Sequence, residues 1–86
     1  MDIKNYIQNN TIGIIFFTNS NFNDLNNKIK DLKHNILFID SNINNTIIES
    51  LNIKCVPLFH IYKNGTIIEE IFGTYPNIID IIRLHF

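Results

Sequence analysis

Residues 51–74 read LNIKCVPLFHIYKNGTIIEEIFGT, and the punctuation of this stretch decides the fold class. Pro57 excludes Val56 from the helical region, so a helical segment must close before it. Leu58–Lys63 and Thr66–Phe72 are β-branched and aromatic runs, the composition of strands. Asn64-Gly65 between them is a two-residue hairpin signal, because both residues tolerate positive φ. Gly73 then breaks the second run. The pattern predicts two antiparallel strands entered through a proline and left through a glycine.

Upstream, Thr46–Leu51 predicts a short helix with Ile47, Ile48 and Leu51 on its inner face. Ser41–Asn45 is a polar connection with Ile43 as its anchor. Ile36-Leu37-Phe38-Ile39 is an all-apolar strand closed by Asp40. Before it, Phe22, Leu25, Ile29 and Leu32 recur at helical spacing, with Lys28, Lys30, Asp31 and Lys33 outside. Ser20 or Asn21 can cap that helix, and His34-Asn35 ends it. Thr11–Phe17 predicts a strand apolar on both faces, so helices must cover both sides of its sheet. A short N-terminal helix carries Ile3, Tyr6 and Ile7 on one face, with Asp2 as its cap. Downstream, Thr74 can cap a last helix with Pro76 in its first turn and Ile78, Ile79, Ile81, Ile82 and Leu84 along it. Asp80 and Arg83 form its polar edge. The Asn pairs Asn26-Asn27 and Asn44-Asn45 are assigned to solvent faces or loops. The order is αβαβαββα. A helix joins the first two strands, which predicts a parallel pair with a right-handed crossover. The result is a three-layer α/β/α sandwich around a mixed four-stranded sheet, one domain over residues 1–86.

Composition narrows the function. Net charge is −1, with 7 Lys or Arg against 8 Asp or Glu, which is not the clustered positive surface of a nucleic-acid binder. Cys55 is the 1 cysteine, which excludes an intrachain disulfide, a four-cysteine zinc site and a Cys-x-x-Cys couple. Ile and Asn account for 20 and 15 of the 86 residues, and Ala is absent. That bias fits an A+T-rich genome. Apolar runs such as Ile14–Phe17 are far shorter than the ~20 residues that span a bilayer. Met1–Asn10 is polar and shows no secretory signal, which makes a cytoplasmic, reducing compartment the expectation. Met1 and the complete βαβαββα order favour an intact chain over a fragment.

These features resemble the thioredoxin family. The strongest part is Leu51–Thr74, where a helix ends, Val56-Pro57 follows and a hairpin closes on a glycine. Lys54-Cys55 before Val56-Pro57 is similar to animal-type thioredoxins. Gly13–Phe17 resembles the central strand that leads into the family's active site, and Ile39-Asp40 the end of the neighbouring strand. The resemblance covers residues 12–84. It implies a thioredoxin-like fold with a cis bond before Pro57. It also implies a groove in which the residue before that proline, here Val56, offers its backbone to an extended segment.

The departures bear on function. Where thioredoxins carry Trp-Cys-Gly-Pro-Cys, this chain has Phe17-Thr18-Asn19-Ser20-Asn21-Phe22. The family's first strand is missing and the first strand-to-strand segment is shortened. The family's buried acidic residue corresponds to Phe16, and a second charged group to Phe38. Dithiol exchange needs an attacking thiolate and a resolving thiol. Without them a buried carboxylate costs desolvation and has no proton to move.

The candidate groove is Thr18, Asn19, Ser20, Asn21 and Phe22 with Val56, Pro57, Gly73 and Thr74. Its bland alternative is a loop shaped by Pro57 and nothing more. Cys55 is the candidate redox thiol, and its alternative is a small apolar side chain. Lys54 is expected to point away from it. His34, His60 and His85 are too dispersed for a metal centre, with His60 a sheet-face residue. Glu69 and Glu70 fall on opposite faces of the last strand, the outward one guarding an edge. Asp40 and Glu49 read as strand-end and helix-surface charges. No catalytic residue and no cofactor are expected. The preferred expectation is a redox-inactive protein-binding module. A single-thiol redox protein and a small subunit of a larger, possibly viral, assembly or virion are the alternatives. The expected partner is a protein, a homodimer being possible, with neither nucleic acid nor membrane.

Overall fold

A computed structural model of the chain describes residues 3–74 and 76–85. Nine segments follow in order: α1 (Ile3–Gln8), β1 (Ile12–Thr18), a 3-10 turn (Ser20–Phe22), α2 (Asn23–Asp31), β2 (Ile36–Asp40), α3 (Asn45–Ser50), β3 (Leu58–Lys63), β4 (Thr66–Phe72) and α4 (Ile78–His85). The sheet order is β2-β1-β3-β4. β1 and β2 are parallel, with Phe16 beside Phe38 and Thr18 beside Asp40. β3 is antiparallel to both β1 and β4. This is the mixed four-stranded α/β/α sandwich that the residue pattern predicts.

β1 is the axis of the core, because its two faces feed two separate clusters. Ile14 and Phe16 pack with Phe59, Ile61 and Ile71 beneath Ile29 of α2 and Ile78 and Ile82 of α4. Ile15 and Phe17 pack with Ile39 and Leu58 beneath α1 and α3. Ile14 to Phe17 are all fully buried. Burying each such side chain stabilises the fold by roughly 1.5–3 kcal/mol. Tyr6 ties α1 to the sheet. Its hydroxyl accepts from the Ile14 N–H at 2.9 Å and donates to the Asn35 carbonyl at 2.6 Å. Asn64 and Gly65 turn the hairpin at φ 52° and 82°, the left-handed values that the Asn-Gly pair predicts.

Several local expectations are corrected. Neither Ser20 nor Asn21 caps α2. Asn19 caps the 3-10 turn instead, accepting from the Asn21 N–H at 2.9 Å. α2 stops at Leu32 and Lys33 rather than at His34-Asn35, with Lys33 in the left-handed region at φ 57°. Ile43 does not anchor its connection: it is 80% exposed. The anchor is polar, because Asp40 accepts from the Asn42 N–H at 2.8 Å and its carbonyl from the Asn44 N–H at 3.0 Å. Leu51 is exposed, so α3 faces inward through Ile47 and Ile48 alone. Pro76 precedes α4 instead of lying in its first turn. Asn26 is buried within α2, not on a solvent face. The capping role of Asp2 lies outside the described residues. No helix among the described residues is long and apolar enough to cross a membrane.

Glu69 and Glu70 do project to opposite faces, and each meets a histidine. Glu70 stands opposite His60 in the β3–β4 register. The two side chains lie 2.7 Å apart, Nε2 to Oε2. An ionised carboxylate only accepts, so His60 Nε2 carries the proton. His60 is buried rather than simply set on a sheet face, and its Nδ1 has no partner among the described residues. Glu69 meets His85 of α4 at 3.1 Å on the other face.

Candidate functional site

Thr18 and Asp40 end the two parallel strands side by side, and the chain leaving Thr18 shapes this end of the sheet. The Thr18 hydroxyl donates to Asn26 Oδ1 at 2.7 Å, and Asn26 Nδ2 donates to the Asn19 carbonyl at 3.0 Å. The Asn19 side chain reaches Ser41 at 3.4 Å, while the Ser41 N–H donates to the Thr18 carbonyl at 2.8 Å. The segment between β1 and α2 is therefore tied down by amides and hydroxyls. Beneath it Phe16 stacks on Phe59, with ring centroids 4.1 Å apart, and meets Phe38 edge-on at 5.4 Å. Lys30 Nζ lies 5.6 Å over the Phe38 ring. Among the described residues no acidic or basic side chain is buried in this aromatic layer, and the exposed Lys30 covers its rim.

The other half of the candidate groove is built around Pro57. The Val56–Pro57 peptide is cis. The Gly73 N–H donates to the Pro57 carbonyl at 2.9 Å. A Cβ on Gly73 would fall 2.7 Å from Pro57 Cβ and 3.3 Å from Leu25 Cδ2. Leu25 is thus where the α2 side and the Pro57 side meet. Thr18, Pro57 and Gly73 are buried and serve as framework; Ser20, Asn21 and Thr74 are exposed, and Asn19, Phe22 and Val56 are half-buried. Among the described residues, neither the N–H nor the C=O of Val56 takes a hydrogen-bond partner. A hollow of about 480 Å³ beside Thr18, Asn19 and Ser20 is bounded by Asp40 and Ile43.

Cys55 is exposed and does not line the hollow beside Ser20. It lines a smaller one of about 210 Å³ with Lys54, Leu58, Glu70 and Phe72. Lys54 lines the same hollow as Cys55. Among the described residues no group of three or more His, Cys, Asp or Glu side chains could hold a metal ion.

Asn26 and Leu25 are the residues that sequence reasoning missed. The signal for Asn26 was present: it lies three residues before Ile29 and four after Phe22, on the inward stripe of α2. An amide on that stripe needs partners, and the strand-end Thr18 supplies one.

The overall fold matches solved structures. The chain superposes on thioredoxin of Halobacterium salinarum, in its N21Q mutant form, with a TM-score of 0.78 at 16% identity, covering 96% of this chain and 81% of that one. The fold is thioredoxin-like. Thioredoxin f2 of Chlamydomonas reinhardtii gives a TM-score of 0.78 at 19% identity, covering 96% of this chain and 88% of that one. The short form of spinach chloroplast thioredoxin f gives 0.76 at 18% identity, with 96% and 85% covered. No protein-family model and no curated protein sequence matches the chain. This thioredoxin-like chain carries 1 cysteine, so the fold is present without a Cys-x-x-Cys motif.

Proposed function

We propose that this thioredoxin-like chain is a protein-binding module without dithiol chemistry, which holds an extended peptide segment beside Val56–Pro57. The observation that carries the reading is the backbone of Val56, which takes no hydrogen-bond partner among the described residues and adjoins the cis bond to Pro57. An extended segment pairs through its main chain with such groups and gains specificity from the side chains around them. The aromatic layer beneath Thr18 supports the same reading, since it offers no buried acid or base for thiol exchange. A reducing intracellular compartment suits the unpaired thiol. In an insulin-reduction assay with a thioredoxin reductase system, the protein should show no turnover. In a titration with a library of extended peptides, the Val56 and Thr74 amide resonances should shift. Clear turnover, or binding that leaves the Val56 amide unmoved, would sink the reading.

A second reading, thiol exchange through Cys55, draws on the exposure of that thiol. It requires Cys55→Ser to abolish a mixed disulfide formed with oxidised glutathione. Failure of the wild-type chain to form that adduct removes it.

A further inference from the structure

The sheet has two edge strands, β2 and β4, and only one is guarded. β4 carries a register shift opposite Ile61 and Tyr62 and two carboxylates at its centre. Bulges and charges are the devices that blunt an edge against further pairing. β2 has neither. It reads Ile36-Leu37-Phe38-Ile39-Asp40, with no proline, no glycine and no charge before its last residue. Its inner side pairs with β1, and no strand lies on its outer side among the described residues. At its ends the Ile36 N–H donates to the His34 carbonyl at 2.9 Å and the Asp40 carbonyl accepts from the Ile43 and Asn44 N–H groups; the outward N–H and C=O groups between them, on an apolar strand, are a template for another strand.

The strand that fits is β2 itself. Antiparallel pairing about a two-fold axis at Phe38 centres on the N–H and C=O of Phe38, with the Ile36 carbonyl and the Asp40 N–H completing it at each end. Phe38 then faces Phe38 of a second copy, Leu37 faces Ile39, and Ile36 faces Asp40. No like charges oppose each other. The same operation on β4 sets Glu69 against Glu69 or Glu70 against Glu70, which is destabilising. The charges on β2 are also complementary. Lys30 Nζ lies 5.6 Å over the Phe38 ring, on the sheet face that bears Ile36, Phe38 and Asp40. Asp40 of the second copy is the diagonal neighbour of Phe38, roughly 7–8 Å away. The exposed Lys30 side chain, which lines one hollow with Phe38 and its own Asp40, can then swing to Asp40 of the other copy, one pair on each side of the axis. We propose that this chain forms a homodimer through β2, joined antiparallel about Phe38 into one eight-stranded sheet and flanked by two Lys30–Asp40 pairs.

Light scattering at ~100 μM, a concentration that populates interfaces of micromolar affinity, should give twice the 10.1 kDa chain mass. A cysteine pair tests the register. In a Cys55→Ser background, Ile36→Cys with Asp40→Cys places the two thiols opposite each other between copies. Within one chain they are about 13 Å apart along the strand, beyond the ~4.4–6.8 Å that a disulfide spans. Mild oxidation should trap a covalent dimer from the double variant and from neither single variant. Lys30 is exposed on α2, so Lys30→Glu leaves the core intact; it should weaken dimerisation about tenfold or more. Adding Asp40→Lys should restore it, with circular dichroism confirming the fold of each variant. A monomeric mass for the wild type overturns the proposal. So does trapping by the single variant Ile36→Cys, or a dimerisation constant that Lys30→Glu leaves unchanged.

Discussion

Gly73 and Pro57 are in contact so close that the missing Cβ of one is the space occupied by the ring of the other. A Cβ on Gly73 would stand 2.7 Å from Pro57 Cβ and 2.9 Å from Cγ. The proline ring cannot rotate away as a flexible side chain would. Gly73→Ala should therefore destabilise the fold by about 1–3 kcal/mol, the usual cost of overpacking. The midpoint of urea unfolding measures it, and an unchanged midpoint contradicts the contact.

The buried Thr18–Asn26 pair predicts non-additivity. Asn26→Leu strands the Thr18 hydroxyl and should cost about 1–3 kcal/mol. Thr18→Val alone strands the Asn26 amide oxygen. The double variant removes both polar groups, so it should be less destabilised than the sum of the singles. Denaturant titrations of the four proteins close the cycle, and strict additivity would show that the two groups do not interact.

Tyr6 makes stability fall at alkaline pH. Burial raises its pKa above the ordinary 10, against smaller opposing hydrogen bonds from the backbone at Ile14 and Leu37. A folded-state pKa above the unfolded one means the contribution is complete below about pH 10 and is lost as pH rises through the folded value. Burial acts on Tyr62 in the same direction. Tyr6→Phe should cost about 1–2 kcal/mol at neutral pH and flatten the alkaline decline. Unfolding midpoints at neutral and alkaline pH for both proteins decide it.

Lys33 ends α2 with φ 57°, in a region where a side chain is strained and glycine is not. Lys33→Gly should stabilise the protein by about 0.5–1 kcal/mol. A lowered thermal midpoint would show that the Lys33 side chain does something its backbone position does not reveal.

The element order was legible because its signals are local. Ile14–Phe17 is apolar at every position, so it had to be covered on both faces. Asn64-Gly65 could turn only one way. The absence of a second cysteine is likewise readable from the chain alone. The framework of the candidate site was less legible. Thr18, Pro57 and Gly73 read as groove-lining residues and are buried; Asn26 reads as solvent-facing and is buried too. Each of these depends on a neighbour remote in sequence: Asn26 beside Thr18, Gly73 against Pro57, Glu70 across from His60.

By itself, then, the sequence determined the strands, the helices, their order and the absence of a Cys-x-x-Cys pair, because periodicity, turn residues and residue counts act over a few positions or none. Only the tertiary structure decided which polar groups are satisfied inside, which strands form the edges of the sheet and where Cys55 lies. Those are properties of distances between segments, and a hydrogen bond or a steric contact exists only once packing has brought its two halves together.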